Sequence, residues 1–207
     1  MSLRYFFGAL TGLLLAPISI FFAFGGITNR KLFLRLLHRN GKWRRVWAGM
    51  ALVSVAAGLY GAWLFPAPGR DFFTFALLNC YLLSMSVTDL RGRYIPDDST
   101  AFFALVFLLF QLSALSLPSL LNSLLGAAVG GAMLGLPHLL RKNDVGLGDV
   151  KLLAVCGLMT GFPSVFYVLA RALVFMALFS ILQLLRKKLG LRSQIPLVPF
   201  LFLGVLI

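Results

Sequence analysis

Acidic residues are scarce in this chain of 207 residues, which contains six aspartates and no glutamate. Metal ligands are also few: there are two cysteines, Cys80 and Cys156, without a C-x-x-C pair, and two histidines, His38 and His138. These patterns supply too few ligands for a zinc site, so we expect no metal and no cofactor. Both cysteines lie in apolar segments, where we expect them to be small packing residues.

Charged residues make up only 12% of the chain, whereas hydrophobic residues make up 60%. Repeated apolar runs of about 20 residues are typical of multi-pass membrane proteins, in which each run crosses the bilayer as a helix. We therefore predict an all-α, polytopic membrane helical bundle that forms a single domain over residues 1–207. The predicted spans lie near 5–25, 46–65, 72–89, 100–117, 119–140, 150–162, 164–185 and 195–207.

The number of spans is predicted as six to eight. The runs at 150–162 and 195–207 are short, and Pro118 makes only a brief break between two others. An eight-span arrangement puts both termini outside, and it places 16 of the 19 Lys and Arg residues on one side. Because cytoplasmic loops of membrane proteins are enriched in Lys and Arg, that side is predicted to be the cytoplasm. We therefore interpret the net charge of +13 as a feature that attracts anionic lipid rather than nucleic acid.

Two of the six aspartates, Asp89 and Asp149, stand where apolar runs meet short polar segments. The first lies in T-D-L-R-G-R-Y-I-P-D (88–97) and the second in G-L-G-D-V-K-L (146–152). The basic residues alone put both on the cytoplasmic side. Since a carboxylate is costly to desolvate at a membrane boundary, two at matched positions indicate a functional site.

The surroundings of the two aspartates differ in ways that suit acid–base chemistry. Gly146 and Gly148 are expected to allow close backbone approach and unusual conformations just before Asp149 opens a helix. A helix N-terminus favours an ionised Asp149, whereas Asp89 ends its helix, so the two carboxyl groups are expected to differ in pKa. The alternative is structural: an interfacial aspartate often caps a helix or pairs with a nearby arginine.

These residues resemble a family, the bacterial type IV prepilin peptidases, which are membrane aspartic proteases of the G-x-G-D type. The resemblance has three parts in the same order: Asp89 followed by I-P-D at 95–97, G-x-G-D-x-K-L at 146–152, and a proline motif at 196–200. Together these parts cover about residues 72–207, which we take as the catalytic core.

The resemblance implies an aspartic endopeptidase that cleaves the basic leader from prepilins or pseudopilins. Asp89 and Asp149 would be the catalytic pair, sharing a proton and activating water without metal or cofactor. The enzyme would lie in the bacterial inner membrane with its active site facing the cytoplasm, and would serve a type IV pilus or protein secretion. Residues expected to support the pair are Gly146, Gly148, Lys151, Pro96, Asp97, Pro196 and Pro199.

The chain departs from the family pattern in three places. The loop after the first helix has about 20 residues and no cysteine, so neither N-methyltransferase activity nor a zinc site carries over to this chain. Val198 stands where the family's proline motif has glycine. The early G-S-F-x-N segment of the family has no counterpart, so residues 1–65 match weakly.

Three other functions stay open from the residues alone. A small proton- or ion-coupled transporter would use Asp89 and Asp149 as ion ligands, although such ligands are expected near mid-membrane. A catalytically inactive scaffold of a pilus or secretion machine would not need both aspartates and their glycines. A presenilin-like protease shares G-x-G-D but has a Y-D motif, and here Thr88 precedes Asp89.

Overall fold

The computed structural model describes residues 2–23, 41–65, 69–113, 115–140, 146–186 and 195–207. Within these ranges the chain is all-helical, without strands, which confirms the predicted fold class. The eight helices of these ranges are α1 (Ser2–Ala23), α2 (Gly41–Leu64), α3 (Arg70–Gly92), α4 (Asp97–Leu112), α5 (Leu117–Leu140), α6 (Leu147–Thr160), α7 (Ser164–Leu185) and α8 (Val198–Leu206).

Five of these helices are long and apolar enough to cross a membrane: α1, α2, α3, α5 and α7. The other three, α4, α6 and α8, have 16, 14 and 9 residues. A spanning helix needs about 20 residues, so these three fall short of that length. The chain is thus a multi-pass helical protein, and any spans beyond these five stay a prediction.

Most helix boundaries differ from the predicted spans by up to five residues, and three of these differences bear on the site or on the basic loops. Helix α2 begins at Gly41, although its stretch that is long and apolar enough to cross a membrane begins at Val46, as predicted; lysine and arginine are good helix formers. Helix α3 continues three residues beyond Asp89. Helix α6 begins at Leu147, so Asp149 lies inside its first turn. The basic residues at 30–39, 141–142 and 187–192 lie outside the described residues.

The chain divides into two compact units, the first being Met1–Thr88 with Pro96–Ser99. In this unit α1 packs on α2 where glycines leave room for the opposite backbone. A Cβ on Gly8 would lie 2.6 Å from the Cβ of Ala62, and one on Gly12 would lie 2.5 Å from the carbonyl oxygen of Ser54. Small residues of this kind let membrane helices approach closely.

The second unit consists of Asp89–Ile95 with Thr100–Ile207. Its main helix pair is α5 and α6, and they also meet through glycines. A Cβ on Gly126 would collide with the carbonyl oxygen of Gly157, and one on Gly130 would lie 2.6 Å from the carbonyl oxygen of Leu153. Seven of the 14 residues of α6 are buried. The start of α6, which carries Asp149, is therefore fixed by backbone-close packing.

Helix α8 packs on α7 in the same unit. Gly204 faces the α7 backbone, since a Cβ there would lie 2.7 Å from the carbonyl oxygen of Val168. The rings of Phe200 and Phe179 make a second contact, with centroids 5.5 Å apart. Together these contacts anchor a helix that is too short to be stable alone.

The glycine contact between α5 and α6 predicts that alanine substitutions at two glycines of α5 lower stability to different extents. Gly126→Ala should lower the free energy of unfolding by about 1–3 kcal/mol, because its new methyl group meets the backbone at Gly157. Gly135→Ala is the matched control on α5, since its Cβ would make an ordinary 3.5 Å contact with Val150 Cγ1. Unfolding in mixed micelles with increasing SDS measures both; equal stabilities would contradict the packing described.

Candidate active site

Asp89 lies in the last turn of α3 and is buried, with 7% of its surface exposed. The helix ends at Gly92, and the N–H of the next residue, Arg93, donates to the Asp89 carbonyl oxygen at 2.9 Å. Burial of a carboxyl group in an otherwise apolar chain requires polar partners to offset the lost hydration. Two groups in the described residues supply such partners for the Asp89 side chain.

The first partner comes from the turn that follows. Arg93 has φ 49°, a left-handed conformation that few residues other than glycine adopt. Such a conformation costs on the order of 1 kcal/mol, and it bends the chain directly after α3. Tyr94 is then exposed and Ile95 is buried. The guanidinium of Arg93 is close enough to attract the Asp89 carboxylate electrostatically.

Asp149 occupies the first turn of α6, two residues after the helix begins. Its N–H donates to the carbonyl oxygen of Gly146 at 3.1 Å, so Gly146 is the N-cap residue. The carboxyl group bends back toward that cap: its Oδ2 lies 3.6 Å from the position that a Cβ on Gly146 would take. Asp149 is half-buried at this helix start.

The two glycines before Asp149 have different roles from those predicted. Gly146 has φ −71° and ψ 139°, an extended conformation that any residue adopts, so the expected conformational freedom is wrong there. Close approach is right for Gly148, where a Cβ would lie 3.2 Å from the Cβ of Ile95. The segment after Asp89 thus packs directly on the helix start that carries Asp149.

The proline motif supplies the second partner of Asp89. The backbone N–H of Val198 donates to Asp89 Oδ2 at 3.2 Å, in a fully buried position. Val198 is the first residue of α8, where a helical N–H has no acceptor within its own helix. A hydrogen bond to a charged acceptor contributes about 1.5–3 kcal/mol, so this bond stabilises both the carboxylate and the helix start.

The two carboxyl groups lie close enough for their charges to interact. Burial and, to a smaller extent, the negative charge of Asp89 together raise the pKa of Asp149 to about 6. The prediction that the N-terminus of α6 would favour an ionised Asp149 is therefore wrong, because desolvation and the neighbouring carboxylate outweigh the helix dipole. Two like charges in one site favour a state in which one proton is retained.

Of the other predicted supporting residues, Lys151, Pro196 and Pro199 belong to the same compact unit as the two aspartates. Lys151 is exposed on α6, two residues after Asp149. Pro196 is half-buried in the non-helical segment before α8, and Pro199 is the second residue of that helix. Pro96 is half-buried and Asp97 is exposed at the start of α4; both belong to the first compact unit.

Metal ligands do not cluster in the part of the chain that the structure describes. No group of three or more His, Cys, Asp or Glu side chains there could hold a metal ion. Cys80 and Cys156 are both buried free thiols. Their burial agrees with the packing role expected from the apolar segments that contain them.

Sequence reasoning missed three features of this site: the left-handed Arg93, the contact of Ile95 with Gly148, and the amide of Val198. The left-handed conformation occurs at Arg93, directly after Gly92, and an arginine does not indicate such a conformation in a sequence. The second could have been found by asking why G-x-G-D needs its second glycine. The third is a backbone donor, which no side-chain pattern reveals, and the departure from glycine at 198 leaves it intact.

The contact between Gly148 and Ile95 generates a paired prediction. Gly148→Ala should distort the site and lower its activity by roughly 10- to 100-fold, since the methyl group must displace the buried Ile95 side chain. Gly146→Ala, two residues earlier, should retain most activity because its Cβ makes only an ordinary contact. Cleavage assays on membranes with matched protein amounts measure both. Equal activities would show that the close approach at 148 does not matter.

Comparison with known proteins gives a family model that includes both aspartates and several relatives of one name. A model of the type IV leader peptidase family matches residues 76–181. A prepilin leader peptidase/N-methyltransferase of Bacillus subtilis is 29% identical over 177 residues, covering 83% of this chain and 71% of that protein. Proteins of the same name from Xanthomonas campestris and Pectobacterium carotovorum are 31% and 33% identical.

The coverage of these relatives is uneven. The matched regions span 64% and 55% of this chain, but only 48% and 40% of the Xanthomonas and Pectobacterium proteins. The chain thus matches about half or less of the length of these two relatives. No solved structure matches the chain. The family model covers more than half of the residues, including both aspartates and the glycines of G-x-G-D, and the chain therefore belongs to the type IV leader peptidase family.

Proposed function

We propose that the chain is an aspartic endopeptidase that removes the basic leader from type IV prepilins or pseudopilins at the cytoplasmic face of the inner membrane. Asp89 and Asp149 are the catalytic pair, with Gly148 and Ile95 shaping the site around them. Membership of the leader peptidase family supports peptidase activity. The aspartic mechanism is supported by the geometry of the two carboxyl groups.

One observation carries this proposal: three separate motif segments meet around one pair of carboxyl groups. Asp89 accepts a hydrogen bond from Val198 at 3.2 Å, its following segment packs through Ile95 on Gly148, and its charge acts on Asp149. An aspartate that only capped a helix in solvent would need neither a second carboxylate nor a contact with the proline motif. This arrangement therefore favours catalysis over a structural role for the aspartates.

The chemistry follows from sharing one proton between two carboxyl groups. The ionised member takes a proton from water, and the oxygen of that water attacks the carbonyl carbon of the scissile peptide bond. The protonated member donates to the carbonyl oxygen. With a pKa of about 6, Asp149 retains a proton at higher pH than an ordinary aspartate does. The pair can thus hold a single proton at mildly acidic pH.

The substrate and the location are proposed from the relatives and from the chain's charges. The three relatives carry prepilin leader peptidase in their names. A basic leader followed by an apolar helix would bring its cleavage site to a membrane interface, where both aspartates are predicted. The distribution of basic residues supports assigning that interface to the cytoplasmic side. The relatives also carry N-methyltransferase in their names; that activity is not proposed for this chain.

The catalytic pair predicts that single substitutions abolish cleavage. Asp89→Asn and Asp149→Asn are near-isosteric, but an amide can neither act as base nor exchange the shared proton. Each variant should lose on the order of 10³-fold or more in activity, and the double variant should be no worse, since the pair acts as one unit. Loss of the leader from a co-expressed prepilin, followed by gel shift, is the measurement.

The exposed aspartates of α4 supply matched controls for this experiment. Asp97→Asn and Asp98→Asn make the same chemical change at exposed positions and should retain most activity. Normal accumulation of all variants in the membrane shows that the effect is catalytic. Substantial cleavage by Asp89→Asn or Asp149→Asn would refute the aspartic mechanism and favour an ion-coupled transporter.

The distribution of basic residues predicts which side of the membrane each loop faces. Reporter fusions after residues 94 and 190 should indicate the cytoplasm, whereas a fusion after residue 68 should indicate the outside. A fusion after residue 40, in the most basic segment, serves as the cytoplasmic reference. A cytoplasmic signal at 68 would overturn the topology and remove the argument that Asp89 faces the cytoplasm.

A further inference from the structure

The hydrogen bond between Val198 and Asp89 joins residues that are 109 positions apart in the chain. Its donor is a backbone amide rather than a side chain, so its position is set by the fold of α8. A donor of this kind cannot rotate away from its acceptor as a hydroxyl or an amino group can. The orientation of the Asp89 carboxyl group therefore depends on where α8 begins.

The start of α8 is held in place by residues that follow Val198. Pro199 follows it directly, with a fixed φ and without an N–H of its own. One residue further, the Phe200 ring packs on Phe179 of α7, and Gly204 lets the two helix backbones meet. The donor is thus preorganised, and aligning it adds no cost when substrate binds.

The groups that face the Asp89 carboxyl group make the pair asymmetric. From its own turn comes the positive charge of Arg93, from α8 the N–H of Val198, and from α6 the carboxyl group of Asp149. The charge of Arg93 and the N–H of Val198 both favour a negative charge on Asp89. The Asp149 carboxyl group bends toward the cap residue Gly146. The negative charge of the pair is thus favoured on Asp89, and the proton is favoured on Asp149.

We propose that the backbone N–H of Val198 is a positioning donor that holds Asp89 as the member of the pair that takes the proton from water, leaving the shared proton on Asp149. This inference rests on the proposed function. The water oxygen bonds to the scissile carbonyl carbon as its proton passes to Asp89, and the proton of Asp149 passes to the carbonyl oxygen. When the carbon–nitrogen bond breaks, the leaving nitrogen takes the proton from Asp89, and Asp149 regains its own proton.

An amide-to-ester replacement at Val198 removes this donor while keeping the side chain. Full-length protein with the hydroxy-acid analogue of valine at 198 can be made by cell-free synthesis into vesicles. With a purified prepilin-type substrate, kcat should fall roughly 10- to 100-fold with little change in KM. The acidic limb of the pH profile of kcat/KM should move to higher pH, because the ionised carboxylate has lost a donor.

The matched control is an ester at Leu201. This change removes an N–H that donates to the Leu197 carbonyl oxygen at 3.1 Å, and so weakens the same helix turn without touching Asp89. The ester at Leu201 should leave the acidic limb of the pH profile of kcat/KM in place. Val198→Ala and Val198→Gly keep the donor and should also keep the pH profile, whatever they do to protein yield.

Two results would overturn the inference while leaving the proposed function intact. One is an ester at 198 with unchanged kcat and pH profile while Asp89→Asn is inactive. The other is an equal loss of kcat from the esters at 198 and 201 without any movement of the acidic limb, which would make the bond merely structural. Cleavage by Asp89→Asn would instead refute the proposed function itself.

Discussion

The buried hydrogen bond from the Val198 amide to the Asp89 carboxylate is the interaction on which the described site depends. It satisfies the first free N–H of α8 and a carboxylate that has lost its water, so each end stabilises the other. Without that acceptor, the buried N–H of Val198 at the start of α8 would lose its hydrogen bond to Asp89. Among the described residues, the attraction of Arg93 would then act on Asp89 against the repulsion of Asp149.

Placing two acids together in such an apolar chain requires the rest of the second unit to hold them. Glycines at 126, 130 and 157 bring α5 against α6, which fixes the helix start that carries Asp149. Ile95 on Gly148 fixes the distance between the two acidic segments. Close backbone packing is the available device, because the hydrophobic effect does not draw helices together in lipid.

The sequence predicts the helices well where apolar runs are long. Helix α7 matches the prediction at both ends, 164 and 185, because polar or turn-forming residues flank it. Helix α2 begins earlier than predicted, since its first residues are basic and composition alone reads them as loop. The approximate place of Asp89 and Asp149 follows from the motifs. Their electrostatic balance does not, because the amide of Val198 and the burial of Asp149 arise only on folding.

The direct test of the account is whether the side chains at 89 and 149 lie side by side in the native membrane protein. Asp89→Cys and Asp149→Cys can be combined in a chain whose Cys80 and Cys156 are replaced by alanine. Dibromobimane becomes fluorescent when it bridges two nearby thiols, and each single-cysteine variant gives the background. The account predicts bridging in the double variant alone. Labelling of both thiols by a monofunctional bimane without any bridging fluorescence would contradict it.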